Sequence, residues 1–140
     1  MLDLFTLKGK TAIVTGACGL IGKEHCRALA EAGAGVIVAD LDGRTADRFA
    51  EELGRKHMGV HLDVTNKKSI EEAREEIMRE YGSIDILVNN AAINDMFENP
   101  ALAAEQSMFE NYPVEMWQKS LEVNVTGVFL CSQIFGTEMA

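Results

Sequence analysis

The chain has no apolar run that approaches membrane-spanning length. Its opening residues, MLDLFTLKGK, show neither a basic stretch followed by an apolar one nor a small-residue cleavage site. The expectation is a protein of the cytoplasm with no membrane partner. Cysteine is scarce as well. Cys18, Cys26 and Cys131 are odd in number and form no CxxC pair, which speaks against a disulfide framework and a thiolate zinc site, so all three are expected reduced. Basic residues are outnumbered, 13 against 22 acidic ones, for a net charge of −9, and the acids are spread along helix-like segments. Nucleic acid is therefore not an expected partner. His57 and His61 stand four apart, a spacing that suits a metal on a helix, but Gly59 and a strand pattern intervene. Solvated or core histidines are favoured and no metal is expected.

What remains is a chain of 140 residues, 47% of them hydrophobic, enough for one domain over residues 1–140 with a real core. Lys10 to Thr15 is a short apolar run rich in β-branched residues and bounded by glycines, the pattern of a buried strand. Ile21, Ala28, Leu29 and Ala32 then fall at helical spacing, with Gly33 as a stop. GVIVAD predicts a second strand, residues 43–56 a helix with Ala46, Phe49, Ala50 and Leu53 on one face, and GVHLDV a third strand. A third helix starts after Thr65 or Asn66 as N-cap, with acids expected in its first turn, and stops at Gly82. IDILVNN predicts a fourth strand, whose continuous Ile86, Leu87, Val88 run suits burial on both faces. The β-α alternation implies a doubly wound α/β fold: a parallel sheet covered by helices, with right-handed crossovers.

Residues 91–112 break the pattern. They are polar, include Pro100, suggest a short helix near residues 101–108, and exceed an ordinary strand-to-helix link, as functional loops often do. Pro113 is expected at the first position of a long helix running from Val114 to Met139 through Met116, Trp117, Leu121, Val125, Phe129 and Ile134. No internal repeat or low-complexity segment is present.

The segment KTAIVTGACGLIGKEHCRALAEAGAGVIVAD carries the most chemistry. In a doubly wound sheet the turn from the first strand to its helix must bend sharply and let backbone amides approach a diphosphate, which the helix N-terminus attracts. Gly16, Gly19 and Gly22 stand there at G-x-x-G-x-x-G spacing. Asp40 ends the next strand at about the ~20-residue offset where an acid accepts hydrogen bonds from adenosine ribose hydroxyls. Its charge also repels a 2′-phosphate, so NAD is the expected cofactor in preference to NADP. Three glycines that merely close a turn and pack helix on strand are the competing reading.

TGACGLIG at Thr15 to Gly22, LDV at Leu62 to Val64, NNAA at Asn89 to Ala92 and NVTGVFL at Asn124 to Leu130 together resemble the short-chain dehydrogenase/reductase family, over the entire chain. The family's glycine motif usually reads TGxxxGxG, whereas here glycine stands at position 19 and Leu20 where the middle glycine would be. The resemblance implies a Rossmann-like sheet in strand order 3-2-1-4. It assigns Gly16 and the backbone of Cys18, Gly19, Leu20 and Ile21 to the pyrophosphate turn, Asp40 and Leu41 to the adenine ribose, and Asp63 and Val64 to the flanks of the adenine. Asn90, Ala91 and Ala92 are implied to support the cofactor's ribose and the central sheet. For Asp63 a helix-flanking turn acid is the alternative. Asn124 resembles the catalytic-set asparagine whose backbone holds a water linked to the active-site lysine. A helix asparagine packed on the fourth strand is the alternative there.

The family's tyrosine, the lysine four residues after it and the carbonyl-polarising serine have no match. Tyr81 and Tyr112 are the only tyrosines, and Asp85 and Met116 follow them by four. Hydride transfer then lacks a proton donor of matched pKa. The resemblance thus covers the first half, or slightly more, of a family member. It implies an open edge on the fourth strand and an open apolar face on the 113–139 helix, either of which invites a homo-oligomer. Two functions follow: the NAD-binding portion of an oxidoreductase that acts on an alcohol or carbonyl substrate, or a non-catalytic dinucleotide-binding or assembly module. A folded relic that binds no nucleotide is a third. FENYPVEMW is also similar to family branches tied to sugar or surface-polysaccharide modification.

Overall fold

The computed structural model describes residues 3–94 and 100–140. Strands β1 (Thr11–Thr15), β2 (Gly35–Asp40), β3 (Met58–His61) and β4 (Ile86–Val88) form one parallel sheet in the order β3-β2-β1-β4. Helices α1 (Leu20–Glu31), α2 (Gly43–Leu53) and α3 (Lys67–Tyr81) alternate with the strands. After β4 come α4 (Pro100–Gln106), a 3₁₀ turn at Phe109–Asn111, α5 (Val114–Leu121), a π-turn (Glu122–Thr126) and α6 (Gly127–Gly136).

The period-2 alternation of the central strands sorts the core into two layers. Ala12 and Val14 of β1, with Val36 and Val38 of β2, face α1 and α2 and pack with Cys26, Ala46, Phe49 and Ala50. Ile13, Ile37 and Ala39 face the other way, against Ile70, Ala73 and Ile77 of α3 and Cys131, Ile134 and Phe135 of α6. Phe49 also joins α1 to α2, since Lys23 and Arg27 each stand 5.6 Å from its ring centroid. Burial of both faces explains why β1 and β2 read as unbroken apolar runs.

Several elements differ from expectation for identifiable reasons. β3 stops at His61, so Leu62, Asp63 and Val64 lie beyond it in the turn toward α3. β4 is only three residues long and half-buried, because it pairs with β1 alone. α2 ends at Leu53, before the Gly54 turn, and the expected 101–108 helix forms as α4, starting at Pro100. The first turn of α3 holds no acid: Lys67 and Lys68 occupy it, and Asn66 caps it by accepting hydrogen bonds from Lys68 N–H (3.0 Å) and Ser69 N–H (3.3 Å). Pro113 is the cap residue of α5, one position before the expected one. The single long helix is two helices joined by the π-turn, ending at Gly136. In α1 the buried positions are Gly22 and Cys26, while Ile21 is 63% exposed. Within the 91–112 loop, residues 95–99 fall outside the described residues.

Candidate functional site

The site begins at the last residue of β1. Thr15 is buried, and its hydroxyl donates to Val88 C=O (3.4 Å) while accepting from Asn90 N–H (3.1 Å) and Ala91 N–H (3.0 Å). The Asn90 amide reciprocates, donating from Nδ2 to Thr15 C=O and Gly16 C=O, each at 3.0 Å. One threonine and one asparagine thus fasten the turn after β1 to the turn after β4, at the point where the strand order reverses.

Gly16 sits at φ +60°, where an L side chain is strained, and a Cβ there would stand 2.8 Å from Ala91 Cα. A Cβ at Gly22 would lie 2.3 Å from Gly16 C=O, so the first turn of α1 folds back over the glycine turn only because position 22 has no side chain. Gly19 is the N-cap of α1 in extended geometry (φ −71°, ψ 172°), which makes no demand for glycine. Leu20, in place of the family's middle glycine, is simply the first helical residue, and its side chain is 90% exposed. No side chain caps α1, so its leading amides stand without a side-chain acceptor.

The turn is also tied to the end of β2. Ala17 N–H donates to Ala39 C=O (3.1 Å), and Cys18 N–H donates to Asp40 Oδ2 (2.9 Å). Asp40 Oδ1 accepts from Asp42 N–H (3.2 Å). Burial first, then the nearby Asp40 charge, push the Cys18 thiol up to about 11, so it stays protonated beside the carboxylate. Cys26 and Cys131, inside the two core layers, are pushed up to about 12, chiefly by burial.

Beyond β3, Asp63 Oδ1 accepts from Thr65 N–H (2.9 Å) and from Thr65 Oγ1 (2.7 Å), while Asp63 N–H donates to Ser69 Oγ (3.0 Å). The turn-acid role is therefore present, whatever else Asp63 contacts. Val64 is buried in the core layer that α3 and α6 cover.

Asn124 lies on the π-turn. Its side chain makes a paired contact with one residue after β4: Ile93 N–H donates to Oδ1 (2.9 Å) and Nδ2 donates to Ile93 C=O (3.1 Å). Its partner is thus the loop beyond β4 and not the strand itself. The strand's end is held to α6 instead, by Asn89 Nδ2 donating to Ser132 Oγ (3.1 Å).

These turns enclose a cleft of about 930 Å³. Gly16, Cys18, Gly19, Leu20, Ile21, Gly22, Asp40, Leu41, Asp63, Val64, Asn90, Ala91 and Ala92 all line it, and Asn124 does not, although its hydrogen-bond partner Ile93 does. Lys119, Glu122 and Val123, from α5 and the π-turn, form a wall that the sequence pattern did not suggest. Their only linear signal is the stretch just before Asn124 in a long helix. His57 and His61 are separate from the cleft: His57 Nδ1 accepts from Val36 N–H (3.1 Å), and His61 is exposed at the end of β3.

A parallel α/β sheet of the Rossmann type, with its cleft at the reversal of strand order, is the class that this fold and site define. The family model described as short chain dehydrogenase matches residues 10–140, and the chain belongs to that family. It is 35% identical over 135 residues to the NAD-dependent glycerol dehydrogenase of Listeria innocua, covering 96% of this chain and 49% of the relative. It is 35% identical over 136 residues to the 5-keto-D-gluconate 5-reductase of Escherichia coli, covering 95% and 50%. It is 36% identical over 131 residues to the 3-oxoacyl-[acyl-carrier-protein] reductase of Aquifex aeolicus, covering 91% and 49%. The chain spans about half the length of the curated relatives it matches. Among the described residues, no helix is long and apolar enough to cross a membrane.

Proposed function

We propose that residues 1–140 are the NAD-binding domain of a short-chain oxidoreductase, and that the whole protein transfers hydride between NAD and an alcohol or carbonyl substrate. One observation carries the reading: the glycine turn, the uncapped start of α1, Asp40, the Asp63–Val64 turn and the Asn90–Ala92 turn border a single cleft. That chemistry fits the cofactor. Backbone amides at a helix start suit a diphosphate, and a carboxylate at the rim suits vicinal ribose hydroxyls. NAD, when bound, would supply the hydride acceptor, while this chain's residues bind and orient it. The names of the relatives, a glycerol dehydrogenase and a ketogluconate reductase among them, favour a small polyhydroxylated substrate.

Asn124 contributes by fixing Ile93, and a π-turn, by skipping one residue in the helical hydrogen-bond ladder, leaves a backbone carbonyl able to hold a water. The Ser and the Tyr-x-x-x-Lys of the family are absent from these 140 residues, so proton transfer is assigned to no residue here. The cytoplasm and a homo-oligomer formed through α5–α6 or the β4 edge belong to the same reading.

Calorimetric titration with NAD and NADP tests the cofactor. Saturable binding of NAD, weaker binding of NADP, and loss of that preference in Asp40→Ala are expected. Equal affinity of the wild-type chain for both nucleotides would remove Asp40 as the discriminating acid. No binding by a folded chain would leave the glycine turn a purely structural device.

A further inference from the structure

We infer that Asp40 is also a positioning residue for the glycine turn: through Cys18 N–H its carboxylate holds the turn in shape, coupling ribose discrimination to diphosphate grip. The inference rests on the dinucleotide reading above and deepens it.

Two amides of the turn are anchored on the end of β2, by different means. Ala17 N–H bonds a backbone carbonyl, Ala39, which no substitution removes. Cys18 N–H bonds a side chain, Asp40 Oδ2, at 2.9 Å and 22 positions away in sequence. Gly19 N–H closes the turn locally on Gly16 C=O (3.2 Å). Among the described residues, the Cys18 bond is the one long-range anchor of the turn to β2 that depends on a side chain. It is partly buried and accepted by an ionised group, the stronger class of hydrogen bond. It sits one residue before the N-cap of α1, so releasing it frees the segment that orients the leading amides of the helix.

Charge and geometry then predict opposite signs. Asp40 and Asp42 both stand on the rim of the cleft. If Asp40 acted only through charge, removing it would strengthen the binding of any phosphate-rich ligand, and Asp40→Ala and Asp40→Asn would gain NADP affinity alike. If it also holds the turn, the two variants part. Asparagine keeps an oxygen for Cys18 N–H and turns its NH₂ toward Asp42 N–H, which is exposed and rebonds to water. Alanine leaves Cys18 N–H without its acceptor.

The test follows Cys18 amide exchange by NMR in the nucleotide-free chain, alongside calorimetric titration of wild type, Asp40→Asn and Asp40→Ala with NAD and NADP. Cys18 exchange is expected to be about 5- to 10-fold faster in Asp40→Ala than in wild type, the equivalent of one net hydrogen bond, and close to wild type in Asp40→Asn. Asp40→Asn is expected to bind NADP several-fold more tightly than Asp40→Ala. Unchanged Cys18 exchange in Asp40→Ala, or equal NADP affinity in the two variants, overturns the inference. If wild type binds neither nucleotide, the dinucleotide reading fails, and the exchange comparison alone decides whether Asp40 holds the turn.

Discussion

At the scale of single residues, the site depends on side chains that satisfy several backbone groups at once. The Thr15 hydroxyl serves three, two of them amides on the turn after β4. Thr15→Val keeps the shape but leaves Ala91 N–H without its acceptor, while Asn90 N–H retains Val88 C=O (3.0 Å), at a cost of about 1–2 kcal/mol for one partly buried amide left unsatisfied. Denaturant unfolding should show this loss with an unchanged slope, and a loss below about 0.5 kcal/mol would mean that water replaces the hydroxyl. Gly16→Ala should be worse, because left-handed geometry costs about 1–2 kcal/mol and overpacking against Ala91 about 1–3 more. A melting temperature within a degree of wild type would show that the turn rearranges freely. The placement of Gly16, Gly22 and Asp40 around one cleft was legible in the sequence because it follows from local spacing. The role of Thr15 was not, since its partners lie 75 and 76 positions away and nothing local marks a threonine at a strand end.

At the scale of elements, the strand and helix order and the parallel sheet were legible from alternation alone, and the strand order from the resemblance. Burial on both faces makes β1 and β2 continuous apolar runs, whereas the similar run in β4 overstated its burial because β4 has a partner on one side only. The π-turn was invisible for a different reason: Trp117, Leu121, Val125 and Phe129 keep an unbroken i, i+4 apolar spacing across it, so Val114 to Met139 read as one helix. Its consequence is to present Asn124 to Ile93. Asn124→Ala removes both contacts. Faster amide exchange at Ile93 is expected, with a stability loss of about 0.5–2 kcal/mol, since the pair is exposed. Ile93 exchange at the wild-type rate would show that the loop after β4 is held by something other than this side chain.

At the scale of the whole molecule, surface and charge set behaviour. Trp117, Val125 and Phe129 are 57%, 58% and 59% exposed along α5, the π-turn and α6, an apolar stripe on which the proposed self-association can be tested. Phe129→Lys should lower the mass measured by light scattering to that of one chain with stability changed by no more than about 0.5 kcal/mol, whereas a wild-type chain already monomeric at high concentration refutes self-association there. Stability against pH is set by groups on both sides of neutrality. Burial, then Lys56, lower the His57 pKa, and its Nδ1 must be unprotonated to accept from Val36 N–H. The unfolded chain therefore binds more protons, and this contribution, whole above about pH 6.5, is lost as pH falls through the folded value. Asp85 behaves likewise further down. The Lys10 hydrogen bond first, then Thr11 N–H, hold its carboxyl below the usual range, so its contribution begins to fade only below about pH 4. On the alkaline side the sign reverses. The thiols of Cys18, Cys26 and Cys131 are raised to about 11, 12 and 12, so they ionise first in the unfolded chain and stability falls above about pH 8.5. A plateau between about pH 6.5 and 8.5 is expected in urea unfolding, with a shallow acid decline that His57→Gln removes and a steeper one below about pH 4. An acid limb identical in His57→Gln and wild type between pH 4 and 6.5 would show that His57 keeps its ordinary proton affinity in the folded chain.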